Sequence, residues 1–263
     1  MKTHTSPEPL EPRIAPAAVL INAVAKTATW MDWDGDLVTL KYSSADAPTF
    51  ATTDKGAGLL VDEITMSAGK HSNADFVLTV KAGASGDGRI DLGHVDATGV
   101  PLKSWKSSKA TVAEFDCGDG AKAIGTFESA TLGAVPVAKF NAGNVDGECQ
   151  FDGSIASLTV HGDVASTELH MGSGTGKVKA VNITGSLRGD LPGFAGYVTG
   201  VFAKDGSFTL GGSIIGGSAG NNGTLSIAND IGKVTVKGDV VGGTTSSTGY
   251  IHANMGAIGS VTI

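Results

Sequence analysis

Cysteine is scarce in this chain, and its two cysteines are not arranged as metal ligands. Cys117 and Cys149 belong to no CxxC motif and have no histidine at a zinc-ligand spacing, whereas structural zinc sites need clustered Cys and His. The sequence therefore disfavours zinc bound by cysteine. The pair is compatible with one disulfide if the protein is exported, and equally with two buried free thiols, which pack as small apolar side chains.

Aromatic residues, long apolar runs and basic clusters are also few. Aromatics make up 6% of the sequence, so we expect an aliphatic core of Val, Ile, Leu and Ala. No apolar run reaches the roughly 18 residues that a membrane-spanning helix needs. The formal net charge is −7 and there is no Lys/Arg run, which disfavours nucleic acid as a partner because phosphate binding requires a basic surface.

Glycine, in contrast, is abundant. The chain has 39 glycines and eight prolines, and the glycines lack the three-residue period of collagen, so they indicate many tight corners. A hydrophobic fraction of 41% supplies enough apolar surface for a folded core. Small β-branched residues mixed with Gly and Thr favour many short strands joined by turns.

A repeat becomes plain from residue 154 onward. Each unit has an apolar-x-apolar strand that ends at a glycine, and these corner glycines, 23, 27 and 26 residues apart, are Gly162, Gly185, Gly212 and Gly238. A period in the twenties with one such strand per unit is typical of a solenoid. Leucine-rich repeats have a similar period, but their leucine consensus and Asn/Cys ladder are absent.

The repeat predicts an all-β fold, a right-handed parallel β-helix with an N-terminal β-rich cap. Because strand residues alternate, Val234 and Val236 are expected to point inward, and Thr235 and Lys237 outward. Right-handed coiling is the default for parallel connections. We expect the corner glycines to supply the positive φ that a bend requires.

The domain organisation follows from where the repeat is clear. Residues 1–25 are predicted as an extended tail or sorting segment, and residues 26–82 as a β-rich cap that covers the end of the stack. Residues 83–263 are predicted as β-helix repeats, degenerate over 83–153 and clear over 154–263. The segments taken as degenerate rungs are Ile90–Val100, Val112–Gly118, Ile124–Phe127 and Val137–Gly143.

The last repeat is truncated at the C-terminus, because the chain stops at Val261–Ile263 within a repeat strand. A solenoid that stops there exposes an apolar edge with unpaired backbone groups. The sequence therefore predicts either further repeats downstream or end-to-end stacking of copies.

Three acidic residues near the start are the candidate metal ligands. Asp32, Asp34 and Asp36 have the D-x-D-G-D spacing that opens a calcium loop, and alternate aspartates can converge hard oxygens on Ca²⁺. Ser43 stands where an EF-hand has its closing Glu, so an EF-hand is not supported. The other interpretation is a plain hairpin turn at Asp34–Gly35.

Catalytic constellations are not evident. Polysaccharide lyases and hydrolases also use parallel β-helices, but they need paired carboxylates, and the acids of the repeats look scattered. Asp163 and Asp239 occupy equivalent corners where other units have Ser186 and Ser213, which indicates a turn position. No cofactor is predicted other than calcium.

The histidines do not suggest a metal site either. His161, His170 and His252 are interpreted as isolated surface histidines, because the repeat does not predict that other ligands converge on them. The sequence thus predicts a protein that is not an enzyme.

Parts of the chain resemble a known group of bacterial proteins. Leu10–Ala17 is similar to the N-terminal LEPR-type motif of large surface or exported proteins from Planctomycetes and Verrucomicrobia. The hairpin Asp32–Lys41, the segment Ile90–Val100 and the repeats from residue 154 resemble the glycine-rich β-strand-repeat proteins of the same bacteria. The resemblance implies an exported, surface-associated β-solenoid, and it implies no catalytic residue.

The sequence therefore predicts an extracellular or cell-surface β-solenoid with a structural or adhesive role, part of a longer displayed protein. Surface polymers or other proteins are the expected partners. A carbohydrate-binding or polysaccharide-cleaving β-helix is the first alternative, and a calcium-stabilised extracellular module is the second.

Overall fold

The protein is a β-solenoid of about seven turns in a computed structural model. The structure describes residues 18–133, 148–191, 196–218 and 220–263, and these contain strands and no helix. The predicted all-β parallel β-helix is confirmed. The motif Leu10–Ala17 and the segment Val137–Gly143 lie outside the described residues.

The N-terminal part is built from antiparallel strands. Strands β1, β2, β3 and β6 pair side by side in that order, and β4 pairs with β5. Asp34–Gly35 lies in the turn that joins β2 to β3, and Gly35 has a φ of +98°, so the predicted hairpin is confirmed. The strands are β1 (Leu20–Asn22), β2 (Thr27–Met31), β3 (Leu37–Tyr42), β4 (Thr49–Asp54), β5 (Leu59–Thr65) and β6 (Asp75–Lys81).

All pairings among the later strands are parallel, and β5 and β6 join them by pairing in parallel with β7 and β8. These later strands are β7 (Ile90–Thr98), β8 (Leu102–Gly133), β9 (Glu148–Val160), β10 (Val164–Ala165), β11 (Glu168–Met171), β12 (Val178–Ile183), β13 (Leu187–Arg188), β14 (Tyr197–Gly200), β15 (Phe202–Leu210), β16 (Ile214–Ile215), β17 (Thr224–Ile227), β18 (Ile231–Val236), β19 (Val240–Val241), β20 (Tyr250–Ala253) and β21 (Ile258–Thr262).

The strands stack on three faces of the solenoid. The first face contains β5, β7, β8, β9, β11, β14, β17 and β20. The second contains β8, β9, β12, β15, β18 and β21. The third is narrow, with β8, β10, β13, β16 and β19. Strands β8 and β9 run without a break from one face to the next.

That continuity corrects the interpretation of the degenerate rungs. Val112–Gly118 pairs with β7 on the first face, and Ile124–Phe127 pairs with β9 on the second. The two segments are therefore two sides of one turn rather than successive rungs. Sequence alternation identified both as strand but could not tell a corner from a complete turn.

The clear repeats stack as predicted. Val181, Phe208, Val234 and Val261 occupy one register position on successive turns of the second face. In β18, Val234 and Val236 are buried, whereas Thr235 and the residue that follows the strand, Lys237, are more exposed. The inward aliphatic positions are thus confirmed.

The corner glycines also stack, but for a reason other than the expected one. Gly185 donates its amide to Gly162 O, Gly212 to Gly185 O and Gly238 to Gly212 O, at 2.8 to 3.0 Å. None of these four glycines has a positive φ, so that expectation is wrong. A Cβ on Gly185 would lie 2.5 Å from the carbonyl carbon and oxygen of Gly162. Glycine is required because successive turns approach each other too closely for a side chain.

The core is only partly the aliphatic one that was expected. Val, Ile and Leu fill the last turns. Under β8 and β9, however, Trp105, Phe115, Phe127 and Phe151 are fully buried and in mutual contact, with neighbouring ring centroids 4.8 to 5.4 Å apart. Four of the few aromatic residues thus form one buried cluster instead of being spread along the chain.

The two cysteines lie in the same aromatic region as free, buried thiols. Burial raises the pKa of the Cys149 thiol to about 12 and that of Cys117 well above its usual value. Because the thiolate is the reactive form, neither cysteine is poised for nucleophilic chemistry.

Candidate functional site

The first face carries two adjacent columns of outward polar side chains. They arise because parallel pairing without a register shift places equivalent residues of successive strands side by side, about 4.8 Å apart. From β5 to β11 the columns hold six carboxylates and no Lys or Arg. We call this set the acidic ladder: Glu63, His94, Glu114, Glu148 and Glu168 in one column, and Thr65, Asp96, Asp116, Gln150 and His170 in the other.

The same two columns continue along β14, β17 and β20, but these strands contribute no carboxylate, Lys or Arg to them. Their later members are Tyr197, Thr224 and Tyr250 in the first column, and Thr199, Ser226 and His252 in the second. Tyr250 stacks on His252, with ring centroids 5.0 Å apart. The carboxylates of the first face therefore end at β11, and in β17 the two column residues, Thr224 and Ser226, are buried.

A rigid layer supports the acidic part. Phe115 and Phe151 lie on the inner side of the ladder strands and stack with an interplanar angle of 15°. Phe127 from the second face meets both rings edge-on. Side chains fixed to a fully packed sheet keep their spacing, so the outward groups are preorganised.

The first histidine of the ladder forms a largely occluded triad. His94 Nε2 lies 2.9 Å from Asp116 Oδ2 and 3.7 Å from Glu114 Oε1. The three side chains are only 7 to 18% exposed. Burial acts to lower the pKa of His94, but the hydrogen bond that its ring donates to Asp116 and the charge of Glu114 raise it above its ordinary value. The two carboxylates therefore favour the protonated form of the ring.

The second histidine lies three strands further on and is more open. His170 Nε2 lies 3.0 Å from Glu148 Oε1 and 3.0 Å from Glu168 Oε2. These side chains are 29 to 41% exposed. One ring nitrogen therefore faces two carboxylates from two neighbouring strands, at a point that solvent reaches.

A cavity of about 230 Å³ adjoins this second cluster. Its polar lining comes from Gln150, His170, Ser173 and Thr199, and Phe151 and Met171 are among its apolar residues. His170 belongs both to the cluster and to the cavity wall, whereas Glu148 and Glu168 do not line the cavity, so a small ligand there would contact the cluster through His170.

No protein-family model, curated protein or solved structure matches this chain. Its function is therefore argued from the chemistry of its own residues. Among the described residues, no helix is long and apolar enough to cross a membrane.

The predicted metal ligands Asp32, Asp34 and Asp36 do come together, with one carboxylate oxygen of each within 4.8 Å of the others. Asp32 and Asp36 are fully buried. Asp32 Oδ1 accepts the amides of Asp36 at 2.8 Å and of Asp34 at 3.3 Å. Burial, followed by a shared hydrogen bond with Asp34, raises the pKa of Asp32 to about 7.

These residues fit calcium only in part. Both oxygens of Asp36 already accept backbone amides, from Gly83 at 2.8 Å and from Gly88 at 2.6 Å, so Asp36 ties the hairpin to the loop before β7. Asp34 Oδ1, in contrast, is buried and has no hydrogen-bond partner. A cavity of about 30 Å³ beside it is lined by Asp32, Asp34, Asp87 and Asp91, among others. Two of the three predicted aspartates, Asp32 and Asp34, thus line a small cavity, whereas the oxygens of Asp36 are taken up by backbone amides.

The interpretation of three isolated histidines is wrong for two of them. His170 lies in the second cluster, and His161 pairs with Glu128 at 2.8 Å. His252 shares a column with His170, three strands further on, and hydrogen-bonds to Asn254. A contact between His161 and Glu128, which are 33 residues apart, cannot be anticipated from the chain order alone.

Sequence reasoning also missed His94, Glu114 and Asp116. A signal was present, because the ladder strands repeat a polar-x-polar pair, as in His94–Asp96 and Glu114–Asp116. It could have been found by aligning the outward positions of successive strands instead of searching for motifs within one strand.

The corner acids, by contrast, are placed as predicted. The amide of Ser186 donates to Asp163 Oδ1 at 2.7 Å, that of Ser213 to Ser186 Oγ at 3.0 Å, and that of Asp239 to Ser213 Oγ at 3.0 Å. These side chains satisfy the backbone of the next turn. They are structural turn residues, not a catalytic cluster.

Proposed function

We propose that this chain is a non-enzymatic structural or adhesive β-solenoid of the cell surface, and that the acidic ladder is its contact surface. The observation that carries the proposal is the uninterrupted parallel register that stacks six carboxylates on one face. Like charges on directly opposed strand positions destabilise a sheet by roughly 0.2–1 kcal/mol per pair. A ligand that binds the stacked carboxylates would offset this repulsion and so explains why they are placed together.

The expected ligand is an extended polymer with amine or hydroxyl groups, because regularly spaced carboxylates accept hydrogen bonds and attract cations along a line. A phosphate backbone does not fit, since the ladder holds six carboxylates and no Lys or Arg. A surface polysaccharide or an extended basic protein segment would match both the length and the charge of the face.

Retention of the purified chain on a panel of insoluble neutral, acidic and amine-bearing polysaccharides tests this proposal. We expect the strongest retention on amine-bearing polymers, and its loss in the double variant Glu63→Gln/Asp96→Asn. The matched control is Asp205→Asn/Asp239→Asn, which removes the same charge from exposed positions outside the ladder. Equal retention of both double variants, or no retention on any polymer, would overturn the proposal.

Export is a separate part of the proposal. It is supported by the resemblance of Leu10–Ala17 to a sorting-type motif and by the similarity of the repeats to surface proteins. Fractionation of the native cells checks it with an antibody against the chain. Recovery in the outer fraction or medium is expected, and confinement to the cytosol would contradict it.

A polysaccharide-cleaving role is the first alternative, and one observation favours it. Glu148 and Glu168 are paired carboxylates that both contact His170, a residue in the wall of a cavity of about 230 Å³, and glycoside hydrolysis uses carboxylate pairs. Release of new reducing ends from the same polysaccharide panel would support this role if Glu168→Gln abolished it.

A calcium-stabilised module is the second alternative, favoured by the buried oxygen of Asp34. A thermal midpoint that rises with Ca²⁺ and falls with chelator would support it, provided that Asp34→Asn removes the difference. An unchanged midpoint would end it.

A further inference from the structure

We propose that Glu148, Glu168 and His170 form a binding site for one divalent transition-metal ion of the Zn²⁺ class. The site goes beyond the scaffold role. It rests on the geometry of three residues and stands whether or not the ladder binds a polymer. No spacing along the sequence predicts this metal site, because its ligands come from two strands.

The ligand set selects this class of cation. An imidazole nitrogen with two carboxylate oxygens suits Zn²⁺ and its neighbours, whereas Ca²⁺ takes six to eight oxygens and no nitrogen. Zinc sites that remain open to ligands have three protein ligands and one free coordination position. Glu148, Glu168 and His170 supply three donors and leave the fourth position open.

The distances are close to those that a metal needs. Bond lengths of about 2.0–2.2 Å place tetrahedral ligand atoms roughly 3.3–3.6 Å apart. His170 Nε2 is 3.0 Å from an oxygen of each glutamate, and the three donor atoms lie within 4.8 Å of one another. A shift of the two partly exposed glutamate carboxylates by a few tenths of an ångström would bring the donor atoms to tetrahedral spacing.

The backbone holds the donors in register. Glu168 pairs directly with Glu148, and His170 with Gln150. Beneath them, Cys149, Phe151, Leu169 and Met171 are buried. A site built on two packed strands keeps its geometry without the metal and avoids the ordering cost that a loop site would incur.

The cavity beside the cluster is the second, independent observation. His170 forms part of its wall, together with Ser173 and Thr199. Space for a water molecule or a small anionic ligand therefore adjoins one of the three ligand residues, with the hydroxyl groups of Ser173 and Thr199 in the same wall. A surface ion pair that was only structural would need no such space.

The twin cluster of His94, Glu114 and Asp116 has similar groups but different access. Its side chains are at most 18% exposed, and Asp116 Oδ1 also accepts the amide of Gln150 at 2.9 Å. A hydrated ion cannot approach it as it can His170. We therefore expect one ion per chain rather than two.

Calorimetric titration of the full, tag-free chain with Zn²⁺ at neutral pH tests the site, in the presence of excess Ca²⁺ to silence the Asp32–Asp36 region. We expect one Zn²⁺ per chain. His170→Gln and Glu168→Gln should each weaken binding by at least about tenfold, the lower bound for losing even an outer-shell partner of a metal. His161→Gln, which removes a surface histidine paired with Glu128, should bind like the unaltered chain.

Three outcomes would overturn the site: no stoichiometric Zn²⁺ binding, full binding by His170→Gln, or equal loss in His161→Gln. If His170→Gln fails to fold by circular dichroism, Glu148→Gln takes its place, since that side chain is 41% exposed. The visible absorption of bound Co²⁺ supplies a further readout. It should indicate a low-coordinate nitrogen–oxygen site, and an octahedral spectrum would contradict the proposed geometry.

Discussion

At the scale of single residues, close approach between turns decides which positions must be glycine. Each corner glycine after the first donates to the carbonyl of the previous one, and none of the four has a left-handed conformation. The sequence identified these positions correctly but suggested the wrong cause, because a periodic glycine is equally consistent with a turn of positive φ and with a lack of space.

Gly185→Ala tests that cause. The new Cβ would lie 2.3 Å from Asp163 Oδ1 and 2.5 Å from the backbone of Gly162, so we expect a loss of about 1–3 kcal/mol in the free energy of unfolding. Urea denaturation measures it. Gly220→Ala is the control, since its Cβ would meet nothing within 4 Å and should change stability by less than about 0.5 kcal/mol. Equal effects would contradict the packing explanation.

His94 predicts a pH dependence of stability. Its pKa is raised in the folded state because Asp116 and Glu114 favour the charged ring. The stabilisation is therefore complete below the unfolded value near 6.5 and is lost as the pH rises through the folded pKa.

Urea unfolding at a series of pH values checks this expectation. The free energy of unfolding should fall as the pH rises above about 6.5, and His94→Gln should flatten that part of the curve. His161→Gln should leave the fall in place. A fall that survives in His94→Gln would assign it to another group.

At the scale of elements, position in the stack decides what a strand side chain contributes. Val234 of β18 and Val261 of β21 are register partners with the same inward direction. Val234 is fully buried, whereas Val261 is 48% exposed. Identical sequence positions thus differ in packing, which the repeat pattern alone does not reveal.

The pair gives a matched test of burial in the 263-residue chain. Val234→Ala should lower the free energy of unfolding by about 1–3 kcal/mol through lost burial and a cavity, and Val261→Ala by less than about 0.5 kcal/mol. Chemical denaturation followed by circular dichroism measures both. A Val261→Ala loss as large as that of Val234→Ala would show that β21 is covered in solution.

At the scale of the whole molecule, the fold is a one-dimensional stack in which a turn contacts mainly its neighbours. Its stability is then close to a sum of turns and interfaces. The ends can therefore unfold separately, and different spectroscopic probes need not report the same transition.

The tryptophans make this testable, because Trp30, Trp33 and Trp105 all lie within the first 105 residues, far from Val234 along the stack. Val234→Ala should shift the urea transition seen by circular dichroism but leave that seen by tryptophan fluorescence nearly unchanged. Coincident shifts in both signals would indicate a single cooperative unit instead.

The sequence by itself determined the all-β class, the turn repeat, the inward aliphatic positions and the hairpin at Asp34–Gly35. These are local properties, set by alternation and by glycine spacing over a few residues. Only the tertiary structure decided the acidic ladder and its two histidine clusters. Asp116 and Gln150 are neighbours although they are 34 residues apart. Because the turns differ in length, equivalent positions have no constant spacing along the sequence. The physical reason is that parallel register couples residues across turns, whereas sequence periodicity describes them only along the chain.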